Sequence, residues 1–223
     1  VATMKVIEEC IRQDIHFIIS HENCLYVETT APYKTMKDLR DQKIKLCQKH
    51  QITIYRCHDG WDQFPVYGVA DSLARSTGIP FDERPVSSFY HYATIEKETV
   101  SELAEKLAKA LKPHGCGYVE ILGDPDQRVT KLGMGVGAAM NSQIMMLENV
   151  DCMILADDGF TNWIDLQWCL DAKVPCILCH HSTNEMEGMA GMVHYLSKVF
   201  PDCRFVKLDE GFQFTLVEAP TED

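Results

Sequence analysis

Hydrophobic and polar positions alternate along the chain with two different periods. Between residues 99 and 112 leucines recur every fourth position, as on the buried face of a helix, and Pro113 and Gly115 then end the pattern. Residues 52–55 are instead β-branched and aromatic, which is typical of a strand. The same reasoning predicts helices at 4–11, 35–50, 66–77, 99–112, 138–147, 162–172 and 184–200, and strands at 17–19, 52–55, 88–95, 118–122, 131–136, 152–156, 174–179, 205–208 and 212–217.

This order of elements sets the expected fold class. Strands that alternate with helices indicate an α/β protein in which helices cover a sheet. We therefore expect a three-layer α/β/α sheet with alternating strands and helices, built from two similar intertwined halves, in a single domain spanning 1–223. A charged loop with two prolines at 80–87 could divide it into lobes 1–80 and 88–217.

Composition narrows the class of protein. The 223 residues carry 33 acidic and 21 basic side chains, a formal net charge of −12. Nucleic acids and anionic membranes attract clustered lysine and arginine, so this charge argues against both as partners. No apolar run is long enough to span a bilayer, no signal peptide is visible, and the ten cysteines are dispersed singly through apolar runs. We expect a cytoplasmic protein with reduced, mostly buried thiols.

Histidine and acidic residues follow three of the predicted strands. The three groups are His21 with Glu22, His58 with Asp62, and His181 with Glu185. Open α/β sheets bind ligands at the carboxyl ends of their strands, so the groups can share one site. A set of His, Asp and Glu suits Zn²⁺, Mn²⁺ or Fe²⁺, and bridging carboxylates can hold two such ions about 3.5–4 Å apart. Taken singly, each group is more simply explained as surface polarity, a turn histidine or a helix cap.

Three other patterns have functional interpretations with simpler alternatives. Cys176-x-x-Cys179-His180 has the form of a haem attachment motif, but it lies in a predicted buried strand and no export signal is visible. The glycine-rich segment 131–141 could cradle a phosphate, although it lacks the complete nucleotide-binding patterns, and close packing of a helix on a strand is favoured. Asp157-Asp158 either adds a carboxylate behind the metal site or, as we favour, begins the next helix.

The three strand-end groups also carry a resemblance to a known family. The chain contains Ser20-His21-Glu22-Asn23, then His58-Asp59-Gly60-Trp61-Asp62 followed by Gly68-Val69-Ala70-Asp71, and finally His180-His181-Ser182-Thr183-Asn184-Glu185. In order and spacing these motifs resemble those of the NGG-interacting factor 3-like family, over residues 5–217. Family members are hexamers with a dinuclear metal centre, and they usually begin some tens of residues earlier. The resemblance therefore implies a homohexamer and a chain that lacks an N-terminal part of the family fold.

The resemblance also implies a ligand set. Carried over by position, the metal ligands are His21, Glu22, Asp62, His181 and Glu185, and His58 lines the same pocket. In the hydrolytic mechanism we expect His58, or Glu22 if it is not a ligand, to transfer the proton. Two divalent ions (Mn, Zn, Fe or Mg) are the implied cofactors. Glu22 stands where most members have a second histidine, and a carboxylate in that place favours harder ions such as Mn²⁺ or Mg²⁺.

Two functions follow as hypotheses. The first is a metal-dependent hydrolase with an unknown small-molecule substrate, for which the resemblance implies GTP cyclohydrolase-like or phosphoester hydrolysis. Two metal ions would polarise the substrate and supply hydroxide from a bound water. The second is a non-catalytic, oligomeric metal-binding or interaction protein with a regulatory role.

Overall fold

The computed structural model describes residues 1–25, 34–86, 88–139, 141–160 and 162–217. Its contacts divide the chain into two compact units. Unit 1 comprises Val1–Trp61 and Arg204–Gly211, and unit 2 comprises Asp62–Cys203 and the residues from Phe212 onward. The first boundary therefore lies at Trp61, whereas the loop suggested by the sequence lies at 80–87.

Unit 1 contains a strand–helix–strand arrangement. Its elements are α1 (Met4–Arg12), β1 (Phe17–Ser20), α2 (Lys34–Lys49), β2 (Thr53–Arg56) and the start of α3 (Asp59–Asp62). Strands β1 and β2 pair in parallel, with Phe17 opposite Thr53 and Ser20 opposite Arg56. Parallel neighbours require a long crossover, which α2 provides. Because the pairing is flush, both strands end at the same edge.

A separate apolar core holds unit 1 together. Val6, Ile7 and Cys10 on α1 are buried against Ile18 of β1 and Ile52 before β2. Thr3 caps α1 by accepting a hydrogen bond from the backbone N of Val6, so the helix begins where the apolar periodicity begins.

The second segment of unit 1, residues 204–211, is attached by polar contacts. Lys5 Nζ donates to Asp209 Oδ2 at 3.0 Å, Arg204 Nη2 donates to Gln13 Oε1 at 2.7 Å, and the amino terminus pairs with Glu210. The predicted strands at 205–208 and 212–217 are wrong, because residues 204–217 form no strand. Residues 206–209 do alternate between apolar and polar. The segment 204–211 nevertheless contacts residues 1–61 through these hydrogen bonds and pairs with no strand.

Unit 2 is built on a mixed sheet. Its strands are β3 (His91–Thr99), β4 (Glu120–Leu122), β5 (Arg128–Met134), β6 (Cys152–Ala156) and β7 (Cys176–Cys179), and its helices are α4 (Val69–Thr77), α5 (Val100–Leu111), α6 (Ser142–Leu147), α7 (Trp163–Asp171), α8 (His181–Asn184) and α9 (Met186–Val199), with short 3-10 turns at Lys112–His114 and Gly137–Ala139. The strand order is β3-β5-β6-β7-β4. The central pairs β5-β6 and β6-β7 are parallel, and the edge strands β3 and β4 are antiparallel to their neighbours. The predicted α/β class is confirmed.

The sheet of unit 2 carries the larger core. Every residue of β6 is buried, as expected for a central strand covered on both faces. The leucine stripe of α5 is confirmed, since Leu103, Leu107 and Leu111 are fully buried. Thr99 and Glu102 form a reciprocal capping box at the start of that helix.

Two glycines allow α9 to pack closely on α4. A Cβ atom built on Gly188 would lie 2.5 Å from the Cα of Val69, and one on Gly191 would overlap the carbonyl oxygen of Tyr67. These contacts involve the backbone, which cannot move aside as a flexible side chain can. Among the described residues, we find no helix with the length and apolar character needed to cross a membrane.

Candidate metal centre

Two candidate ligand segments follow the paired strands of unit 1. His21 and Glu22 come directly after β1, and Cys57 and His58 come directly after β2. The backbone N of Cys57 donates to Ser20 O at 2.9 Å, which continues the parallel pairing one step beyond the strands. The flush register therefore places the two segments side by side, as expected for ligands at the carboxyl ends of parallel strands.

His21 is held by a backbone carbonyl. Its Nδ1 lies 3.0 Å from the carbonyl oxygen of Cys57, and its side chain is buried. A carbonyl only accepts hydrogen bonds, so Nδ1 carries the hydrogen and the lone pair is on Nε2. This arrangement is common in metal-binding histidines, which fix their orientation through the ring nitrogen that does not bind the metal.

His58 lies against His21 and between two carboxylates. The two imidazole rings are stacked, with centroids 4.6 Å apart. His58 Nε2 is 2.8 Å from Glu22 Oε1, and Nδ1 is hydrogen-bonded to Asp59. The hydrogen bond and charge of His58 lower the pKa of Asp59. Glu22 thus contacts the side chain to which the sequence assigned proton transfer.

Asp62 is positioned by the short helix α3, which the sequence did not predict. It is the last residue of that helix, follows His58 by four positions and is buried. His21, His58 and Asp62 each offer a ligand atom, and these atoms lie within 4.8 Å of one another. Two imidazoles and a carboxylate at this spacing form a suitable donor set for a divalent transition metal.

A chain of hydrogen bonds from Lys43 through Ala2 and Ser20 holds the backbone of the turn that contains Glu22. Ser20 Oγ donates to the backbone carbonyl of Glu22 at 2.8 Å and accepts from the backbone N of Ala2 at 3.2 Å. The buried Lys43 donates to the carbonyls of Ala2 and Cys24 at 3.1 and 2.8 Å. Burial lowers the pKa of Lys43. Sequence reasoning did not identify Lys43, because its partners are backbone atoms distant in sequence.

Unit 2 repeats the strand-end principle with β6 and β7. These strands pair in parallel, with Ala156 opposite Cys179. Asp157 and Asp158 follow β6, and helix α8 begins at His181, directly after the N-cap residue His180. The helix predicted at 184–200 corresponds to α9, and the short helix α8 precedes it.

His181 lies between two carboxylates of unit 2. Its Nε2 is 2.7 Å from Glu185 Oε1, one helical turn further on, and its Nδ1 is 2.8 Å from Asp158 Oδ2. Burial acts to lower the pKa of His181, but hydrogen bonds and charges from Glu185 and Asp158 outweigh it and raise the pKa to about 9. The favoured interpretation of Asp158 as a helix start is wrong, because α7 begins only at Trp163.

Asp157 fixes the backbone at the same place. Its Oδ1 accepts from the backbone N of His181 at 2.9 Å, and its Oδ2 lies 3.0 Å from His180 Nδ1. His180 Nε2 is 3.1 Å from the hydroxyl of Tyr118, and the ring stacks on Phe214 at 4.0 Å. His180 is thus held on all sides within unit 2. Cys176 and Cys179 of the haem-like pattern are buried, and burial raises the pKa of Cys179 to about 12.

The glycine-rich segment 131–141 contacts His181 at Gly137. Gly137 has a φ of +50°, and a Cβ atom there would lie 2.6 Å from Glu185 Oε1 and 2.8 Å from His181 Nε2. Gly133 in the same segment abuts Met145, whose Sδ would be 2.9 Å from its Cβ. Close packing therefore explains Gly133, whereas Gly137 leaves room at the polar atoms of the predicted ligands.

Comparison with protein-family profiles establishes the family of this chain. The profile of Duf34/NIF3 (NGG1p interacting factor 3) matches residues 2–210. The chain belongs to the Duf34/NIF3 family. Comparison with curated protein sequences finds no match.

Solved structures similar to this Duf34/NIF3 chain agree in fold. The Staphylococcus aureus hypothetical protein SA1388 has a TM-score of 0.76 at 16% identity, and the match covers 96% of this chain and 85% of that one. A Bacillus cereus protein related to NIF3 has a TM-score of 0.74 at 13% identity, covering 96% and 87%. Reduced HcgD from Methanocaldococcus jannaschii has a TM-score of 0.64 at 15% identity, covering 89% and 76%. At these identities the likeness establishes the fold, and function has to be argued from the site.

Proposed function

We propose that this Duf34/NIF3 protein binds two divalent metal ions through His21, Glu22, Asp62, His181 and Glu185 and hydrolyses a small-molecule substrate. The observation that carries the proposal is the group of His21, His58 and Asp62, whose polar side-chain atoms lie within 4.8 Å of one another, so that His58 lies beside two of the proposed ligands. Its donor chemistry fits Mn²⁺, Zn²⁺ or Fe²⁺, and the carboxylate of Glu22 favours the harder ions.

The geometry around His181 supports its role as a ligand. Its Nε2 and the Oε1 of Glu185 are adjacent atoms on one helical face, and both adjoin the space that Gly137 leaves open. A side chain at Gly137 would overlap them, which would explain why glycine occurs there.

The proposal assigns proton transfer to His58, which lies beside Glu22. When bound, divalent ions would polarise the substrate and lower the pKa of a bound water. His58 is held by Asp59 through Nδ1 and faces Glu22 through Nε2. With its hydrogen on Nδ1, His58 can accept a proton at Nε2 and share it with Glu22 Oε1, which is what general-base hydrolysis requires of a residue beside the nucleophile.

Metal analysis tests the binding proposal. After reloading with Mn²⁺ or Zn²⁺, the purified chain should contain about two ions, and fewer than about 0.2 ions per chain would overturn the proposal. The double variant His181→Ala, Glu185→Ala should lose metal content. His194→Ala, at an exposed histidine of α9, is the matched control and should retain it.

Turnover tests the catalytic part. Nucleotides and phosphoesters are screened with and without Mn²⁺, and His58→Ala should retain bound metal but lose at least about 100-fold of the rate that a general base contributes. If His58→Ala instead loses metal, His58 is a ligand rather than the proton-transfer residue.

A non-catalytic binding role is the second candidate, favoured by one observation. Large apolar side chains are exposed on two helices of unit 2, among them Leu147 on α6 and Trp163 and Trp168 on α7. Exposed apolar side chains mark an interaction surface when they form one contiguous patch, which is what this role requires of α6 and α7. Bound metal without turnover of any substrate would favour this role.

A further inference from the structure

We propose that Asp158 is a positioning residue, which holds the ring of His181 so that Nε2 points toward a bound metal ion. This inference rests on the proposed function, because it requires His181 to be a ligand. Asp158 itself would contact neither the ion nor the substrate.

The contact between the two side chains is bidentate. His181 Nδ1 lies 2.8 Å from Oδ2 and 3.0 Å from Oδ1 of Asp158. A carboxylate accepts the Nδ1 hydrogen, and the lone pair of the metal-binding tautomer is then on Nε2. Ligand histidines commonly donate their other ring N–H to a carboxylate in this way, which fixes the tautomer and the ring orientation.

Asp158 and Asp157 act on different parts of His181. Asp157 Oδ1 accepts from the backbone N of His181, and no hydrogen bond joins Asp157 to the imidazole among the described residues. The backbone is therefore held by Asp157, and the rotation of the ring remains to be fixed. The side chain of Asp158 contacts the Nδ1 edge of the ring, and Gly137 adjoins the Nε2 edge.

This division of roles also explains why two consecutive acidic residues follow β6. The strand pairs with β7 in parallel, so the residues after β6 lie beside those after β7. Successive side chains then reach the backbone and the ring of the same residue, His181.

The test measures Co²⁺ binding by the full chain, using the visible absorption of the bound ion. Asp158→Ala should weaken Co²⁺ affinity about 10- to 100-fold and change the absorption bands, which is the usual effect of removing such a partner. Asp158→Glu, which keeps the carboxylate, should recover part of the affinity. Asp171→Asn, at an exposed carboxylate at the end of α7, is the control: it removes one charge of unit 2 and no contact of His181, and its absorption bands should be those of wild type.

Nitrogen-15 NMR of the histidine rings supplies a readout that fold stability does not affect. In the loaded wild-type chain the Nδ1–H of His181 should be protected from exchange, and in Asp158→Ala this signal should be lost. An affinity within about twofold of wild type together with an unchanged Nδ1–H signal would overturn the inference.

The outcomes separate this inference from the proposed function. If wild type binds no Co²⁺, both are overturned. If binding is lost in His181→Ala but not in Asp158→Ala, the metal site stands and the positioning role is overturned. If Asp158→Ala is weakened and Asp158→Glu recovers, both are supported.

Discussion

At the scale of single residues, His21 and His58 of unit 1 and His181 of unit 2 are supported in the same way. Each is held through Nδ1 by an oxygen acceptor: the carbonyl of Cys57 for His21, Asp59 for His58 and Asp158 for His181. The acceptors come from different elements and differ in charge. In each case Nε2 is the nitrogen directed away from the support, so the rings are oriented before any ion binds.

Gly137→Ala tests whether space beside His181 and Glu185 is required. The added methyl would lie 2.6–2.8 Å from their polar atoms, so we expect at least about tenfold weaker metal binding, comparable with the loss of a supporting partner. Titration with Mn²⁺ followed by calorimetry measures this. Gly78→Ala is the matched control, because Gly78 also has a positive φ but nothing within 4 Å of a Cβ atom. Equal losses in both variants would point to backbone strain instead.

The substitution Asp71→Asn tests a network of buried charges outside the candidate site. It accepts hydrogen bonds from Arg84 Nε at 2.9 Å and the backbone N of Val66 at 2.6 Å, and lies 3.0 Å from His91 Nε2. Burial acts to raise the pKa of Asp71, but these partners outweigh it and lower the pKa well below its usual range. Asp71→Asn should reduce the free energy of unfolding by about 3 kcal/mol at pH 7, the low end for a broken buried ion pair, because Arg84 loses its charged partner but keeps backbone carbonyls as acceptors.

The pH dependence of that loss follows from the direction of the shift. A lowered folded-state pKa contributes stability above the unfolded pKa, and the contribution is lost as pH falls toward the folded value. The difference between wild type and Asp71→Asn should therefore be constant from pH 6 to about 5 and smaller at pH 3. Urea unfolding at both ends of this range measures it, and a difference that grows on acidification would contradict the assignment.

At the scale of elements, the periodicity of apolar residues predicted the longer helices and strands correctly and missed the shortest helices. Helix α5 and strand β6 occur where the leucine stripe and the apolar run predicted them. Helices α3 and α8 have four residues each, which is too short to show a helical period, yet they carry Asp62 and His181. The candidate ligands could be named from motifs, whereas the roles of Asp158 and Gly137 depend on contacts between segments far apart in sequence.

Gly188→Ala tests the close packing of α9 on α4. Its methyl would meet the Cα of Val69 at 2.5 Å, and overpacking against a backbone costs about 1–3 kcal/mol. We expect a decrease of that size in the free energy of unfolding, measured by urea denaturation. Gly60→Ala in α3 has nothing within 4 Å of its Cβ and should be neutral or slightly stabilising, because alanine has the higher helix propensity.

At the scale of the whole molecule, charge and apolar exposure point in different directions. The net charge of −12 favours solubility and opposes self-association. The exposed apolar side chains on α6 and α7 favour association, with Trp163 exposed by 66% and Leu147 by 79%. Composition alone gave the first of these properties, and the second required knowing which side chains the fold leaves outside.

Trp168→Asp tests whether self-association covers these side chains. We expect wild type to have a mass of about six times 25.3 kDa in light scattering, as the hexamer implied by the resemblance requires, and the variant to shift to smaller species. Val199→Asp, at an exposed apolar residue on α9, should leave the mass unchanged. A monomeric wild type would remove the basis for this expectation.

The discontinuous composition of unit 1 has a consequence for biosynthesis. Residues 1–61 leave the ribosome first, but the segment 204–211 that completes their unit emerges after 62–203. Nascent chains form contacts only with what has already been translated. Residues from Phe212 onward belong to unit 2, but the buried core of that unit lies wholly within 62–203. The amino terminus and Lys5 of unit 1 find their partners in 204–211, so we expect protection of 1–61 to follow protection of 62–203. Ribosome-bound chains stalled before residue 204 should show protease resistance within 62–203 earlier than within 1–61, and the reverse order would contradict this.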